Sequence, residues 1–460
     1  MRFRLPKSLA RLTAIALASL PLFASADDRP NIIFILADDM GYADVSCYGA
    51  PDVKTPHIDK LAADGVRFTN IYAMGPECTP SRTAFLTGRY PQRVGGLECA
   101  IGTGNVGRYD DAIRLAENDD LGLPADYAVT APALQKAGYY NAIFGKWHLG
   151  YEPKFSPLDQ GFEEFIGFLG GNVDYFRHKE LSDIEVYLSG REPIQEEGYT
   201  TDLITEDALQ LIEKRAKSPE APFFLYLPHA APHFPFQAPG DDDGGLPSAE
   251  NWTKGTRETY IEMLESLDNS VGKVVESLEE NGLTENTLIV FASDHGAMPP
   301  GLNDPWRDFK GTLFEGGIRV PMIARWPAKL PSGKTCEQVG TLMDLSHSFL
   351  TVAGAEIPSD GLDGDDLLAH VIETSPEYSR ELHWRSKRGD KTWWAVRDGN
   401  YKYVRKTEGG ETEEWMFDLA TDPGEQNSLL DGTPQETTRG LADRLRALNL
   451  EWEERVAPSR

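Results

Sequence analysis

Four short apolar segments of the chain each end in polar side chains whose types could do chemistry. They lead into Asp38-Asp39, into Lys146-Trp147-His148, into His229 with His233, and into Asp294-His295. Three carboxylates brought close together cannot all stay ionised without a cation. Carboxylate oxygens favour a hard divalent ion, so the acids predict a Ca²⁺ or Mg²⁺ site. An Asp-Asp pair by itself is explained better by a turn or a helix N-cap.

Cys78 is the second chemical signal. Thr79 is a candidate N-cap residue and Pro80 suits a first helical position, so a helix is predicted to begin here with Arg82 in its first turns. The positive end of a helix dipole favours an anion or an activated nucleophile at Cys78. A thiolate phosphatase would need a glycine-rich loop of backbone amides, and Pro and Thr stand there instead. For a lone cysteine, a buried structural role is the alternative.

These side chains need a scaffold that brings them together. The apolar segments at 31–37, 139–144, 223–227 and 288–292 are typical of strands buried on both faces. Helical patterns separate them, at 55–68, 201–217 and 258–280. This alternation predicts an α/β fold with a mostly parallel sheet between helices. Such sheets bind ligands beyond the carboxyl ends of their strands, so a single active site is favoured over scattered surface loops.

The segment around Cys78 resembles the signature of a known family. Cys78-Thr79-Pro80-Ser81-Arg82 with Leu86-Thr87-Gly88-Arg89 is similar to that of the formylglycine-dependent (type I) sulfatases of the alkaline-phosphatase superfamily. Other segments of the chain also resemble family blocks, and all of them occur in the family order. One precedes Cys78, Asp38-Asp39; the others follow it, at Gly145 to Gly150, Ala231-Pro232-His233, Ser293 to Gly296, Lys310-Gly311-Thr312 and Glu315 to Pro321. Ala395-Val396-Arg397, Tyr401-Lys402 and the segment from Phe417 to Glu425 resemble the smaller family domain. The resemblance implies an alkaline-phosphatase-like fold, with a large mixed, mostly parallel sheet between helices and a smaller C-terminal α+β domain with a short antiparallel sheet. It also implies a bacterial polysaccharide or carbohydrate sulfatase.

The resemblance also implies roles for individual residues. A maturation enzyme would oxidise Cys78 to formylglycine (3-oxoalanine), whose hydrated gem-diol attacks the sulfur of a sulfate ester. Arg82 matches the residue that supports the gem-diol. The implied metal ligands, for Ca²⁺ or alternatively Mg²⁺, are Asp38, Asp39, Cys78 and Asp294. The implied sulfate-binding set is Lys146, His148, His233 and Lys310, with His233 or Lys310 protonating the leaving oxygen.

Two histidines leave their roles open. Many family members carry Asn where this chain has His295, and imidazole suits softer ions than Ca²⁺. His295 is therefore a candidate metal ligand that could instead contact only sulfate. His229 follows an apolar segment closely, and hydrogen bonding within the core is its alternative to substrate contact.

The chain begins with a pattern typical of an export signal. A basic start, an apolar run at 12–23 and Ala24-Ser25-Ala26 predict a signal peptide at 1–26. We therefore expect a periplasmic or secreted protein without a membrane anchor after cleavage. The sequence becomes polar and rich in Asp and Gly directly after Ile357. This break predicts a catalytic domain at 27–357 and a C-terminal subdomain at 358–460. In that subdomain, short antiparallel strands precede a terminal helix from Leu441 to Val456.

Composition limits the substrate. With 45 Lys+Arg against 73 Asp+Glu, the formal net charge is −28, which argues against a nucleic-acid partner. Local charge at a cleft governs anion capture, so this total does not exclude a sulfated substrate. Long polar insertions at 95–123, 170–199 and 236–256 are either substrate loops or solvated surface. The candidate contacts within them are Asn172, Asp174, Arg177 and His178.

The sequence thus predicts an enzyme that hydrolyses sulfate monoesters on a sulfated oligosaccharide or polysaccharide. Polar loops suit a sugar better than an apolar aryl ester. The alternatives are a phosphodiesterase or phosphonate hydrolase of the same superfamily, an arylsulfatase of broad specificity, and an exported sugar-binding module whose site has decayed. The complete set of site residues argues against the last alternative.

Overall fold

The computed structural model describes residues 29–102, 108–181, 186–241 and 247–457. The expected signal peptide at 1–26 lies outside the described residues. Within those ranges, no helix combines the length and apolar character that crossing a bilayer requires.

A large mixed sheet forms the centre of the protein. Its strands in chain order are β1 (Asn31–Ala37), β2 (Val66–Tyr72), β3 (Tyr140–Lys146), β4 (Glu164–Phe168), β5 (Tyr187–Ser189), β6 (Glu192–Pro193), β7 (Phe223–Pro228), β8 (Thr287–Ser293), β9 (Arg319–Arg325), β10 (Lys334–Cys336) and β11 (Gly340–Thr341). The order across the sheet is β10-β2-β9-β8-β1-β7-β3-β4-β5-β6, with β11 also paired to β2. β1 runs parallel to both of its neighbours, β7 and β8, which confirms the predicted mostly parallel core.

Helices cover both faces of this sheet, as predicted. In chain order the helices of the described residues are α1 (Pro56–Ala63), α2 (Cys78–Thr87), α3 (Asp110–Ala116), α4 (Thr130–Lys136), α5 (Thr200–Ala216), α6 (Arg257–Glu280), α7 (Glu315–Ile318), α8 (Asp344–Val352), α9 (Leu367–Ile372) and α10 (Glu436–Arg455). Alternate residues of β1 point to opposite faces. Phe34 packs in a cluster with Phe85 of α2, whereas Ile33 packs in another cluster with Leu267 of α6.

The predicted helix at 55–68 is only half correct. α1 ends at Ala63, and the chain then turns into β2. A Cβ at Gly65 would lie 2.3 Å from the carbonyl oxygen of Ala324, so only glycine lets the chain approach β9 so closely. β2 pairs antiparallel with β9 and parallel with β10. Sheet pairing thus overrides the helical spacing that continues past residue 63.

The C-terminal part is a four-stranded antiparallel sheet with one long helix against it. Its strands are β12 (Glu381–Arg388), β13 (Lys391–Asp398), β14 (Tyr401–Glu408) and β15 (Glu411–Asp418), and α10 contacts β13 and β14. The predicted antiparallel strands and terminal helix are confirmed. A third apolar cluster, which includes Tyr72, Phe314 and Trp384, joins this sheet to the large one. The division at residue 357 stays a prediction, because α9 still packs on α8 beside the large sheet.

Candidate active site

The structure brings the carboxyl ends of β8, β1 and β3 together around a set of charged side chains, with β7 lying between β1 and β3 in the sheet. Asp38 and Asp39 follow β1, Asp294 follows β8, and Lys146 is the last residue of β3. The backbone N–H of Asp294 donates to the carbonyl of Ala37, which continues the ladder and fixes the two acidic turns side by side. The backbone N–H of Asp39 donates to Asp294 Oδ1 at 3.2 Å.

Cys78 is the first residue of α2 and lies at the centre of this set. Its side chain is buried, and the N-cap residue is Glu77 rather than the predicted Thr79. The Thr79 hydroxyl instead donates to the carbonyl of His148 at 3.1 Å. The Cys78 Sγ lies 3.3 Å from Lys146 Nζ, 3.3 Å from His295 Nε2, 3.4 Å from Asp38 Oδ1 and 3.9 Å from Lys310 Nζ.

Arg82, one turn further along α2, holds the acids in place. Its fully buried guanidinium lies 3.3 Å from Asp38 Oδ1 and 3.1 Å from Asp294 Oδ2. It also donates to the carbonyl of Lys146 at 3.1 Å. One side chain thus connects α2, β1, β3 and β8. A buried cation that contacts two buried acids in this way offsets part of the repulsion between them.

Two lysines supply the positive charge that faces the acids. Lys146 Nζ lies 2.5 Å from Asp38 Oδ2, and Lys310 Nζ lies 2.7 Å from each carboxylate oxygen of Asp39. Burial opposes the thiolate form of Cys78, yet Lys146, Lys310 and His295 together hold the pKa of this thiol well below its ordinary value. Position 78 is therefore an electropositive centre, which suits an anionic ligand.

The histidines divide into three environments. His295 has a pKa raised to about 9, because the charges of Asp294, Cys78 and Asp39 outweigh the opposing effect of burial. Burial lowers the pKa of His148 to about 4, and its Nε2 lies 2.5 Å from the carbonyl of Ile101. Burial also lowers the pKa of His233, whose Nε2 lies 3.3 Å from Lys310 Nζ.

His229 is separate from this centre. It is fully buried, its Nε2 lies 3.2 Å from Ser270 Oγ, and burial lowers its pKa to about 3. The structure thus places His229 in the core, where it makes a hydrogen bond, as the alternative to substrate contact predicted.

The donor atoms fit a divalent cation. Two overlapping groups each place one ligand atom per residue within 4.8 Å of the others: Asp38, Cys78, Asp294 and His295, and Asp38, Asp39, Cys78 and His233. Burial, and then the charge of Cys78, raises the pKa of Asp38 well above its ordinary value. Such crowding of buried carboxylates is relieved by a cation, and their oxygens are the donors that hard ions prefer.

Two of the loop residues predicted to contact substrate, Asp174 and His178, have structural hydrogen bonds. Asp174 is fully buried and accepts hydrogen bonds from the backbone of Arg177 at 2.7 Å and from Gln237 Nε2 at 2.8 Å. His178 is buried, with its Nε2 3.2 Å from the carbonyl of Gly198. Polar residues in loops often bond the backbone that they shape, and substrate contact by these two side chains stays a prediction.

The sequence did not reveal a buried charge network beside the Lys310 loop, which is the connection from β8 to α7 at residues 294–314. Lys402 Nζ, on β14, lies 2.8 Å from Glu315 Oε1 and 2.9 Å from Glu425 Oε1, and all three side chains are fully buried. Glu425 also accepts from the backbone N–H of Glu315 at 2.6 Å. The three residues of this network lie in segments that resemble family blocks, but nothing in their spacing along the sequence shows that their side chains meet.

Comparisons with known proteins agree with this arrangement. A family model described as Sulfatase matches residues 30–355, and one described as N-sulphoglucosamine sulphohydrolase, C-terminal, matches residues 305–451. The N-acetylgalactosamine-6-sulfatase of Canis lupus familiaris is 35% identical over 90% of this chain and 78% of its own length. Arylsulfatase A of Homo sapiens is 30% identical over 90% and 85%. The crystal structure of Ps i-CgsB in complex with k-i-k-neocarrahexaose has a TM-score of 0.79 and 31% identity, and covers 92% of both chains.

Proposed function

Since the chain belongs to the sulfatase family and is an enzyme of that kind, we propose that it removes sulfate from a sulfated carbohydrate, using a formylglycine formed from Cys78 and a divalent metal. The observation that carries this proposal is the environment of Cys78 at the start of α2. Its Sγ lies within 3.9 Å of Lys146, Lys310 and His295. A small anionic group on the substrate would be neutralised from several sides there.

The side chains divide the work of the reaction. Hydrated formylglycine would supply a hydroxyl nucleophile at position 78, which Arg82 supports. When bound, Ca²⁺ supplies Lewis-acid stabilisation of negative charge on the sulfate oxygens. Lys146, His148, His233 and Lys310 bind and orient the sulfate group.

Proton transfer to the leaving oxygen falls to the pair formed by Lys310 and His233. Burial lowers the pKa of His233, whereas the Asp39 carboxylate overcomes burial and raises the pKa of Lys310. The proton of the pair therefore resides on Lys310, 3.3 Å from the neutral imidazole. We propose that either Lys310 or His233 donates the proton that the leaving oxygen takes up as its bond to sulfur breaks.

Metal removal should abolish activity reversibly. We propose that Asp38, Asp39, Asp294, His295 and residue 78 hold Ca²⁺, with Mg²⁺ as the alternative ion. Exhaustive chelation should lower sulfate release at least 100-fold, and Ca²⁺ should restore it, with bound metal measured by mass spectrometry. His295→Asn replaces a nitrogen donor with an amide oxygen, so half-restoration should need less Ca²⁺.

His347→Asn is the matched control, because its Nδ1 lies 2.8 Å from the carbonyl oxygen of Gly364 and His347 belongs to neither group of candidate metal ligands. This variant should need as much Ca²⁺ as the wild type. Full activity in a chelated, metal-free preparation would show that the acids serve another purpose.

The substrate class has its own test. The names of the relatives support a sugar ester, since one is an N-acetylgalactosamine-6-sulfatase and Ps i-CgsB was solved in complex with k-i-k-neocarrahexaose. The panel should contain sulfated galactosaminoglycan and carrageenan oligosaccharides, 4-nitrophenyl sulfate and a bis-aryl phosphodiester, with released anion measured by ion chromatography. We expect at least one saccharide to exceed the aryl sulfate 10-fold in kcat/KM. A phosphodiester cleaved faster than every sulfate ester would favour the phosphodiesterase alternative.

The remaining proposals concern processing. We propose a signal peptide at 1–26, export to the periplasm or the medium, and a maturation enzyme that oxidises Cys78. We retain the division into a catalytic domain at 27–357 and a C-terminal subdomain at 358–460. Mass spectrometry of the exported protein would read both the N-terminal residue and the modification of Cys78.

A further inference from the structure

Two arginines share one carboxylate directly beside Cys78. Glu77 precedes Cys78 in the chain, and its buried carboxylate lies 3.1 Å from Arg388 NH1 and 4.0 Å from Arg108 NH1. The side chain of Arg388 is 54% exposed and that of Arg108 is 18% exposed. Both guanidinium groups are therefore within reach of a ligand, although one acid holds them.

Backbone and side-chain contacts tie this pair to the edge of the active site. Glu77 Oε2 accepts from the backbone N–H of Ala100 at 2.7 Å. The next residue, Ile101, accepts the 2.5 Å contact from His148, one of the proposed sulfate-binding residues. The carbonyl of Arg108 in turn accepts from the backbone of Gly389, in the turn between β12 and β13. The arginines thus come from two separate segments that meet next to the sulfate site.

The charge balance of the pair differs from that of a structural ion pair nearby. Arg385, on the same strand as Arg388, is matched by Glu98 at 2.7 Å and Glu453 at 3.1 Å. By contrast, Arg108 and Arg388 share a single carboxylate, that of Glu77. Among the residues that the structure describes, no second carboxylate lies within 4.0 Å of either guanidinium. Burial is the main cause that lowers the pKa of Arg108, and the neighbouring charge of Arg388 acts in the same direction.

We propose that Arg108 and Arg388 form a second anion site, which binds a further sulfate or carboxylate group of the saccharide whose ester is hydrolysed at position 78. Guanidinium groups bind such planar or multi-oxygen anions with two hydrogen bonds at once. The proposal rests on the sulfatase function proposed above and narrows its substrate to a saccharide with at least two anionic groups. The chain as a whole has a formal net charge of −28 and repels anions. An anionic saccharide would therefore be attracted to a place where positive charge is locally in excess.

The test compares Arg388→Ala and Arg108→Ala with wild type on two saccharides that differ by one anionic group. The first carries a single sulfate, and the second carries the same sulfate and a neighbouring sulfate or uronate carboxylate. Loss of one charge-assisted bidentate contact should lower kcat/KM for the doubly charged saccharide about 10- to 100-fold. For the singly charged saccharide the value should stay within about twofold, and Arg388→Lys should restore part of the loss.

Arg444→Ala is the matched control, because its side chain is 57% exposed and is paired with Asp398 at the opposite end of β13. It should leave both saccharides unchanged. Equal losses on the two saccharides, or no loss on either, would overturn the second anion site.

Failure of the proposed function is distinguishable from failure of this site. In that case wild type would release sulfate from neither saccharide. Calorimetric binding of both saccharides to the Cys78→Ala protein, with and without Arg388→Ala, would still measure the site directly. If the doubly charged saccharide binds no more tightly than the singly charged one, the proposal is wrong.

Discussion

Cys78→Ala should lower sulfate release by at least about 10⁴-fold, because removal of a nucleophile leaves only binding and charge stabilisation. Cys78→Ser should be equally inactive when it is produced where serine is not converted to formylglycine. The measurement is the initial rate of sulfate release, together with the mass of the peptide that carries residue 78. In active wild-type enzyme that peptide should have the mass of the aldehyde rather than of the thiol.

Cys47→Ala is the matched control for this prediction. Burial, assisted by Asp59, raises the pKa of Cys47 to about 12, so its thiol stays neutral and unreactive. Activity should persist in this variant. An unmodified thiol at position 78 in fully active enzyme would remove formylglycine from the mechanism.

Lys402→Met should destabilise the folded protein by about 3–5 kcal/mol, although Lys402 does not contact the candidate active site. The substitution leaves the carboxylates of Glu315 and Glu425 buried without the ammonium group that lies 2.8 and 2.9 Å from them. The free energy of unfolding from denaturant titration measures this effect. Lys406→Ala, on the same strand, removes a lysine that pairs with Glu408 and Glu413 near the surface, and should cost less than about 1 kcal/mol.

The effect of Lys402→Met should depend on pH. Burial raises the pKa of Glu425 from 4.5 to about 7, so its protonated form stabilises the fold below pH 4.5 and this contribution is lost as pH rises through 7. Lys402 lowers the pKa of both carboxyl groups, so its removal should raise the pKa of Glu315 and of Glu425. The variant should therefore lose more stability at pH 8 than at pH 5. A pH-independent difference, or one no larger than that of Lys406→Ala, would contradict the ion-network interpretation.

The positions of the site residues were largely predictable because parallel strands end at a common edge. Asp38, Lys146 and Asp294 each stand at the end of an apolar segment, and the structure brings them together. The helix at α2 was predictable for a similar local reason, although its N-cap is Glu77. Their catalytic roles stay predictions that rest on the family resemblance.

Features that depend on distant partners were not predictable. Residues 66–68 belong to the predicted helix at 55–68, but β9 and β10 pair with them from far along the chain. Asp174 and His178 have the types of sugar-binding residues, and only the folded loop shows that they bond its own backbone. Lys402 looks like an ordinary surface lysine in an antiparallel strand until Glu315 and Glu425 are placed around it.

The position of β1 in the large sheet has a consequence for synthesis. β1 is made first among the strands, yet both of its partners, β7 and β8, follow much later in the chain. Asp38 and Asp39 can therefore face Asp294 only after β8 has been synthesised. The Lys310 loop leads into Glu315, whose ion network with Lys402 and Glu425 can form only after those two residues have been added. A premature stop before Glu425 would leave every residue around Cys78 in the chain and still leave the candidate site without its final support.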